Sequence, residues 1–128
     1  MTKNELRQYR RLGEEIEDLK VRIADLRSAS LKSPKLDGMP HAQGGSGDPI
    51  GATIARIDVL AAQIVAREAE RNIIEMAIAS LKDSKERMVL RHRYMDGMTW
   101  EEIGSIMSYS EGRVRQLHGE ALKELEDW

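Results

Sequence analysis

The sequence predicts an all-α protein: a long, coiled-coil-like N-terminal helical hairpin followed by a C-terminal trihelical helix-turn-helix domain. Three observations predict this. Apolar residues in the first thirty positions recur at alternating spacings of three and four. All three prolines and five of the ten glycines fall between residues 28 and 51. Two helix-start signatures then flank "SYS" near the C-terminus.

The first helix is expected over residues 3–30. Tyr9, Leu12, Ile16, Leu19, Ile23 and Leu26 form a seam about three heptads long, with charge at most other positions. A seam this narrow needs a partner helix. Residues 28–51, "SASLKSPKLDGMPHAQGGSGDPIG", read as a linker. Its "GGSG" lacks the Gly-Lys-Ser/Thr that a phosphate loop requires. A second long helix is expected over residues 52–82, capped by Ser46 or Asp48, with Pro49 in its first turn. Ile54, Ile57, Ala61 and Ile64 form one stripe, which Ile74, Ile78 and Leu81 continue. Each helix would be about 40 Å long. "VLAAQIVA" (59–66) is apolar on more than one side, which favours more than one packing partner and hence a homo-oligomer, most simply a dimer. A third helix is expected from Ser84 to Met95, with Asp83 and Glu86 as a capping box and Gly97 as its terminator.

Composition narrows the function classes. The chain has no Cys and no Phe, and five Trp and Tyr residues together. No disulfide framework or thiolate metal site is possible. The polar N-terminus lacks a signal core, and Val59–Ala66 is too short to span a bilayer, so a cytoplasmic protein with no membrane partner is expected. His41, His92 and His118 have no second ligand at metal spacing, and His92 reads as a partly buried structural residue. Glu14-Glu15 and Glu101-Glu102 are adjacent pairs that diverge on a helix. No enzyme, cofactor or metal site is expected. Net charge is −2 overall, and residues 81–128 carry eight basic and ten acidic groups. Non-specific attraction to phosphates should therefore be weak.

The C-terminal elements can be placed in detail. Thr99 and Glu102 form a capping box, stapled by Met98 and Ile103, on a helix from Trp100 to Met107. Ser108 and Tyr109 make a tight turn, and Ser110 caps a helix over 110–126. Val114, Leu117, Ala121, Leu125 and Trp128 form its inner face. Gly112, Gln116, Gly119 and Lys123 lie opposite, with Arg113 and Arg115 on the shoulders. Arginines there suit phosphates, and the Gln116 amide suits an adenine edge in the major groove. Gly119 in mid-helix costs about 1 kcal/mol relative to Ala, so it needs a reason, such as close approach to a surface. The expected DNA-binding residues are Thr99, Ser110, Glu111, Gly112, Arg113, Arg115, Gln116, Gly119 and Lys123.

"SKERMVLRHRYMDGMTWEEIGSIMSYSEGRVRQLHGEALKEL" resembles region four of sigma factors, with "TWEEIG", "RVRQL" and "ALKEL" as its specific parts. The resemblance spans Leu81 to Leu125. The preceding "SPKLDGMP" and "GSGDPI" are similar to the linker of small phage-encoded transcriptional regulators of the ArpU and RinA type. The region-four resemblance implies double-stranded DNA as partner and contact with RNA polymerase, and the linker resemblance implies control of phage or prophage genes, often late ones, in a bacterial host. Four positions depart from region four. Glu111-Gly112 replaces the common Arg-Glu, Ser108 replaces a turn glycine, and His92 replaces an apolar residue. The docking mode then carries over, while the usual promoter sequence does not.

Residues 1–80 contain one aromatic, Tyr9, so single-strand capture by stacking is excluded, and the chain is no self-sufficient sigma factor. The expected division is 1–80 for oligomerisation and 81–128 for DNA reading. Two alternatives remain open. A small-terminase-like packaging subunit would assemble as a ring of about eight or more copies. A polymerase-binding adaptor would ignore loss of Arg113 and Arg115.

Overall fold

The computed structural model describes residues 1–32 and 49–128. Five α-helices are present there, without strands: α1 (Lys3–Lys32), α2 (Pro49–Ala79), α3 (Ser84–Leu90), α4 (Trp100–Met107) and α5 (Glu111–Glu124). A π-helical turn, Arg91–Met95, extends α3. The expected linker 28–51 shrinks at both ends, because Ser28–Lys32 continues α1 and Pro49–Gly51 opens α2. His41 and the expected caps Ser46 and Asp48 lie outside the described residues.

The chain forms two compact units: Met1–Glu14 with Glu68–Trp128, and Glu15–Arg67. In the second unit, Ile16, Leu19 and Ile23 of α1 are buried. Arg67 Nε reaches Glu15 Oε2 at 2.9 Å, and Leu26 and Ala29 share a groove with Ala55 and Val59, so α1 and α2 pair antiparallel. The expected stripe on α2 is rotated. Ile57, Leu60 and Ile64 are half-buried, whereas Ile54 and Ala61 are exposed. Leu60 offers more apolar surface than Ala61, so the helix turns Leu60 inward.

In the first unit, α1 opens with a capping box in which Thr2 Oγ1 accepts from Glu5 N at 3.2 Å and Glu5 Oε1 accepts from Thr2 N at 3.4 Å. One core cluster joins Leu6, Tyr9 and Leu12 to Ile74, Ala77, Ile78 and Leu81, and these to Leu90, Tyr94, Ala121 and Leu125. Tyr9 donates to Glu75 Oε1 at 2.5 Å, and the Arg71 guanidinium lies 4.1 Å over the Tyr9 ring. A second cluster holds the C-terminal helices together: Val89, Ile103, Val114 and Leu117, flanked by Met98, Trp100, Met107 and Tyr109.

Three element ends differ from expectation. The second helix stops at Ala79, not residue 82, where the Ser80 hydroxyl takes the Ala77 carbonyl at 2.6 Å. The last helix stops at Glu124, not residue 126. Trp128 therefore leaves the inner face and is 46% exposed. Asp83 caps α3, but through Lys85 N at 2.7 Å, and Glu86 is buried instead of closing a capping box.

Glu86 lies against Glu124, and burial followed by that hydrogen-bonded neighbour pushes its carboxyl up to about 7. A carboxyl raised on folding contributes stability below the unfolded value of 4.5 that is lost as pH rises through 7. Glu86→Gln is therefore expected to raise Tm by several degrees at pH 8 and to change it little at pH 4.5. Equal shifts at both pH values would show that the Glu86 charge is not the cause.

By length and composition α2 is apolar enough to cross a bilayer. Its ionic side chains oppose that reading. Arg56 and Asp58 interrupt its apolar half, and Arg67 pairs with Glu15 of α1.

Candidate nucleic-acid interface

The two helices around "SYS" are set by local bonds. Thr99 Oγ1 accepts from Glu102 N at 3.1 Å, and Glu102 Oε1 accepts from Thr99 N at 3.0 Å. These bonds hold the Glu102 carboxyl below its ordinary range. Met98 and Ile103 share the second core cluster, as the staple requires. Ser110 Oγ accepts from Arg113 N at 3.1 Å, capping α5.

Between the helices, Ser108 adopts φ 60° and ψ 42°. It occupies the left-handed position that glycine usually fills. Tyr109 N donates to Gly104 O at 2.9 Å. A Cβ on Gly104 would stand 2.7 Å from Tyr109 O, so only glycine admits this close crossing. Gly104 was legible within "TWEEIG" as part of a resemblance, but its steric role needed the coordinates.

The inner face of α5 is buried at Val114, Leu117, Ala121 and, at its C-terminal cap, Leu125. Gly112, Gln116, Gly119 and Lys123 are exposed together on the opposite face, as expected. Thr99, Ser110 and Glu111 are exposed at the starts of α4 and α5. Arg113 Nη1 donates to Gln116 Oε1 at 3.0 Å, which engages the amide oxygen and not its hydrogens. Arg115 pairs with Glu111 at 3.2 Å. Nothing lies within 4 Å of a Cβ placed on Gly119. The fold itself therefore gives Gly119 no packing reason.

Beneath this face sits a polar–aromatic contact that the spacing did not reveal. Tyr94 hydroxyl lies 2.6 Å from His118 Nε2, and Trp100 meets the His118 ring edge-on at 4.7 Å. Burial, aided by Lys3, Arg93, Arg7 and Arg115, pushes the imidazole down to about 4. The ring is held neutral at pH 7, and its Nε2 shares a hydrogen bond with the tyrosine hydroxyl. His118 is a buried residue of the core beneath α5. No group of three metal-ligating side chains occurs among the described residues. His92 is half-buried and meets Asp96 at 3.0 Å, as a structural histidine would.

A cavity of about 490 Å³ adjoins α5 on the Trp100 side, lined by Lys3, Arg7, Arg10, Arg93 and Arg115, with Trp100 among its apolar walls. Arg93 Nη1 donates to Met98 O at 2.9 Å and stacks 4.2 Å over Trp100, and Arg115 lies 5.2 Å over the same ring. The π-helical turn widens α3 just where Arg93 leaves for the cavity and Tyr94 for the core. The basic side chains from α1 and α3 were missed at the sequence level. A signal was available, since Lys3, Arg7 and Arg10 stand at i, i+4 and i+7 on one helical face.

Residues 77–127 match the family model described as Sigma-70, region 4. No curated protein and no solved structure matches the chain. The C-terminal segment is thus similar to sigma region four, a DNA-binding helix-turn-helix.

Proposed function

We propose that the protein is a sequence-specific transcriptional regulator that reads double-stranded DNA with α5 in the major groove. The observation that carries this reading is the outer face of α5, where Gly112, Gln116, Gly119 and Lys123 stand exposed with Arg115 while the inner face is buried. Arg113 orients the Gln116 amide, whose free hydrogens can donate to a base acceptor. Arg115 and Lys123 supply charge for phosphates, and Thr99 and Ser110 place two helix N-termini toward the backbone. Glu111 can accept from a cytosine amine.

Within this reading, residues 81–128 carry DNA recognition and residues 1–80 carry assembly. A homodimer offsets the acidic balance of the reading segment, because two weak half-sites gain from effective concentration. The resemblance of the linker and the C-terminal segment supports phage or prophage genes, late ones among them, as targets in the bacterial cytoplasm. Contact with RNA polymerase rests on the sigma likeness alone.

Selection from a random duplex pool at about 0.15 M salt, followed by sequencing, tests the reading. A two-part motif is expected. Gln116→Ala should lose definition at one base position per half-site. Gly119→Ala should raise Tm, by about 1 kcal/mol of helix propensity, while weakening duplex affinity through its added methyl. Absence of any motif with the wild type would overturn sequence-specific reading.

A further inference from the structure

We infer that the first turns of α1 form, with Arg93 and Arg115, a clamp for a DNA backbone phosphate beside the groove that α5 enters. This inference rests on the DNA-reading role of α5. Five cationic side chains line the cavity and no carboxylate does. Among the described residues, Lys3, Arg7, Arg10 and Arg93 make no ion pair, and Arg115 meets Glu111 at an exposed position. Holding like charges together without compensation is unfavourable unless an anion completes the site. The five cations share one cavity, and Trp100 forms part of the same wall. Arg115 neighbours Gln116 on α5, and Trp100 follows Thr99, so the cavity borders the reading face on two sides. A phosphodiester fits this chemistry: guanidiniums bind its oxygens in a fork, and the Trp100 ring keeps two of them in place. The clamp also resolves the charge problem of residues 81–128, because three of its five cations come from α1.

The test compares the full chain with Arg7→Gln/Arg10→Gln and with Gln116→Ala on the selected duplex and on an unrelated one, across a salt series. The expected result for the double variant is at least a tenfold loss on both duplexes. Its salt slope should be shallower by about one, and its motif unchanged. Gln116→Ala should lose affinity on the selected duplex alone. If the double variant stays folded and keeps wild-type affinity and slope, the clamp is wrong while DNA reading stands. If the wild type binds no duplex, both fail. Pyrophosphate titration in a Trp128→Phe background reads Trp100 fluorescence. A response abolished by the double variant, with duplex binding intact, would assign the cavity to a free phosphorylated ligand and overturn the DNA assignment.

A different observation concerns the partner of α2 and rests on the dimer reading. Ala52, Ala55, Val59, Ala62, Ala66, Ala69, Ile73 and Met76 recur at spacings of three and four, and all are exposed. Val59 and Met76 are each 57% exposed and Ile73 is 48% exposed. Ile57, Leu60, Ile64, Ile74 and Ile78 occupy the inward seam, and Ala55 and Val59 also border an open groove against Leu26 and Ala29 of α1. All these residues lie on one helix, so their alignment depends on helix periodicity alone.

We propose that the outward seam packs antiparallel on the same seam of a second copy, with the two-fold axis at residue 64. This register sets Ala52 against the partner copy's Met76, Ala55 against Ile73, Val59 against Ala69, and Ala62 against Ala66. No layer pairs two large residues, and the central layer is small enough for close approach. Arg56 and Glu70 flank the seam at equivalent heptad positions, so each Arg56 meets the other copy's Glu70. A parallel pair would set Asp58 against Gln63 and Val65 against Glu70, without an ion pair. The contact is isologous, as a closed dimer requires.

Sedimentation of the full chain is expected to give a dimer. Arg56→Glu and Glu70→Arg should each raise the dimer Kd at least tenfold at low salt, and the two together should restore it. The chain has no native Cys, so Val65→Cys near the axis should cross-link to its own copy, while Ile54→Cys should not. A monomer, a larger ring, or failure of the double swap to restore association would overturn this arrangement.

Discussion

Leu6→Ala is expected to destabilise the C-terminal unit by about 3 kcal/mol, a Tm drop of more than about 10 °C. Leu6 is fully buried, yet it lies far in sequence from much of the core it completes. It shares a cluster with Leu90, Tyr94, Ala121 and Leu125, which belong to the helix-turn-helix. Removing its side chain leaves a void between elements that cannot collapse independently. Near-UV circular dichroism of Tyr94 and Trp100 measures the effect where it should appear. A fragment starting at Leu81 is the extreme case. It loses Leu6, Tyr9, Leu12, Ile74, Ala77 and Ile78 at once, and is expected to be largely unfolded. A loss below about 1 kcal/mol in Leu6→Ala would show that α1 is dispensable to this core.

Gly104→Ala is expected to destabilise by about 2 kcal/mol and to reduce duplex affinity further than unfolding explains. The added Cβ would sit 2.7 Å from Tyr109 O, a backbone atom that has no rotamer to retreat into. The strand of chain from Ser108 to Ser110 must move, and with it the angle of α5 to α4. Gly119→Ala is the internal comparison. Both glycines lie inside helices, and both changes gain the same helix propensity of about 1 kcal/mol. One Cβ meets a carbonyl and the other meets open space, so the two variants should shift Tm in opposite directions. Stabilisation by both would disprove the close crossing.

The secondary structure and much of the reading face were legible because they follow local rules. The α1 seam from Tyr9 to Ile23 is buried as its spacing requires. The Thr99–Glu102 box and the Ser110 cap need only four residues each, and both form. Misreadings arose where a choice depended on distant neighbours. Ile54 and Ala61 fit a helical stripe as well as Leu60 does, and only the position of α1 selects Leu60. Glu86 fits a capping box by spacing, but the packing of α5 turns it toward Glu124. The Tyr94–His118 contact joins residues on separate helices and has no local signature.

By itself, then, the sequence determined the helices, their caps, the tight turn and the exposed chemistry of α5, since each rests on backbone bonds and periodicity within a few residues. Only the tertiary structure decided which side of α2 turns inward, that α1 completes the core beneath the helix-turn-helix, and that Lys3, Arg7 and Arg10 gather with Arg93 and Arg115. These outcomes depend on contacts between residues up to about a hundred positions apart, where burial of large side chains outweighs local preference and periodicity carries no information.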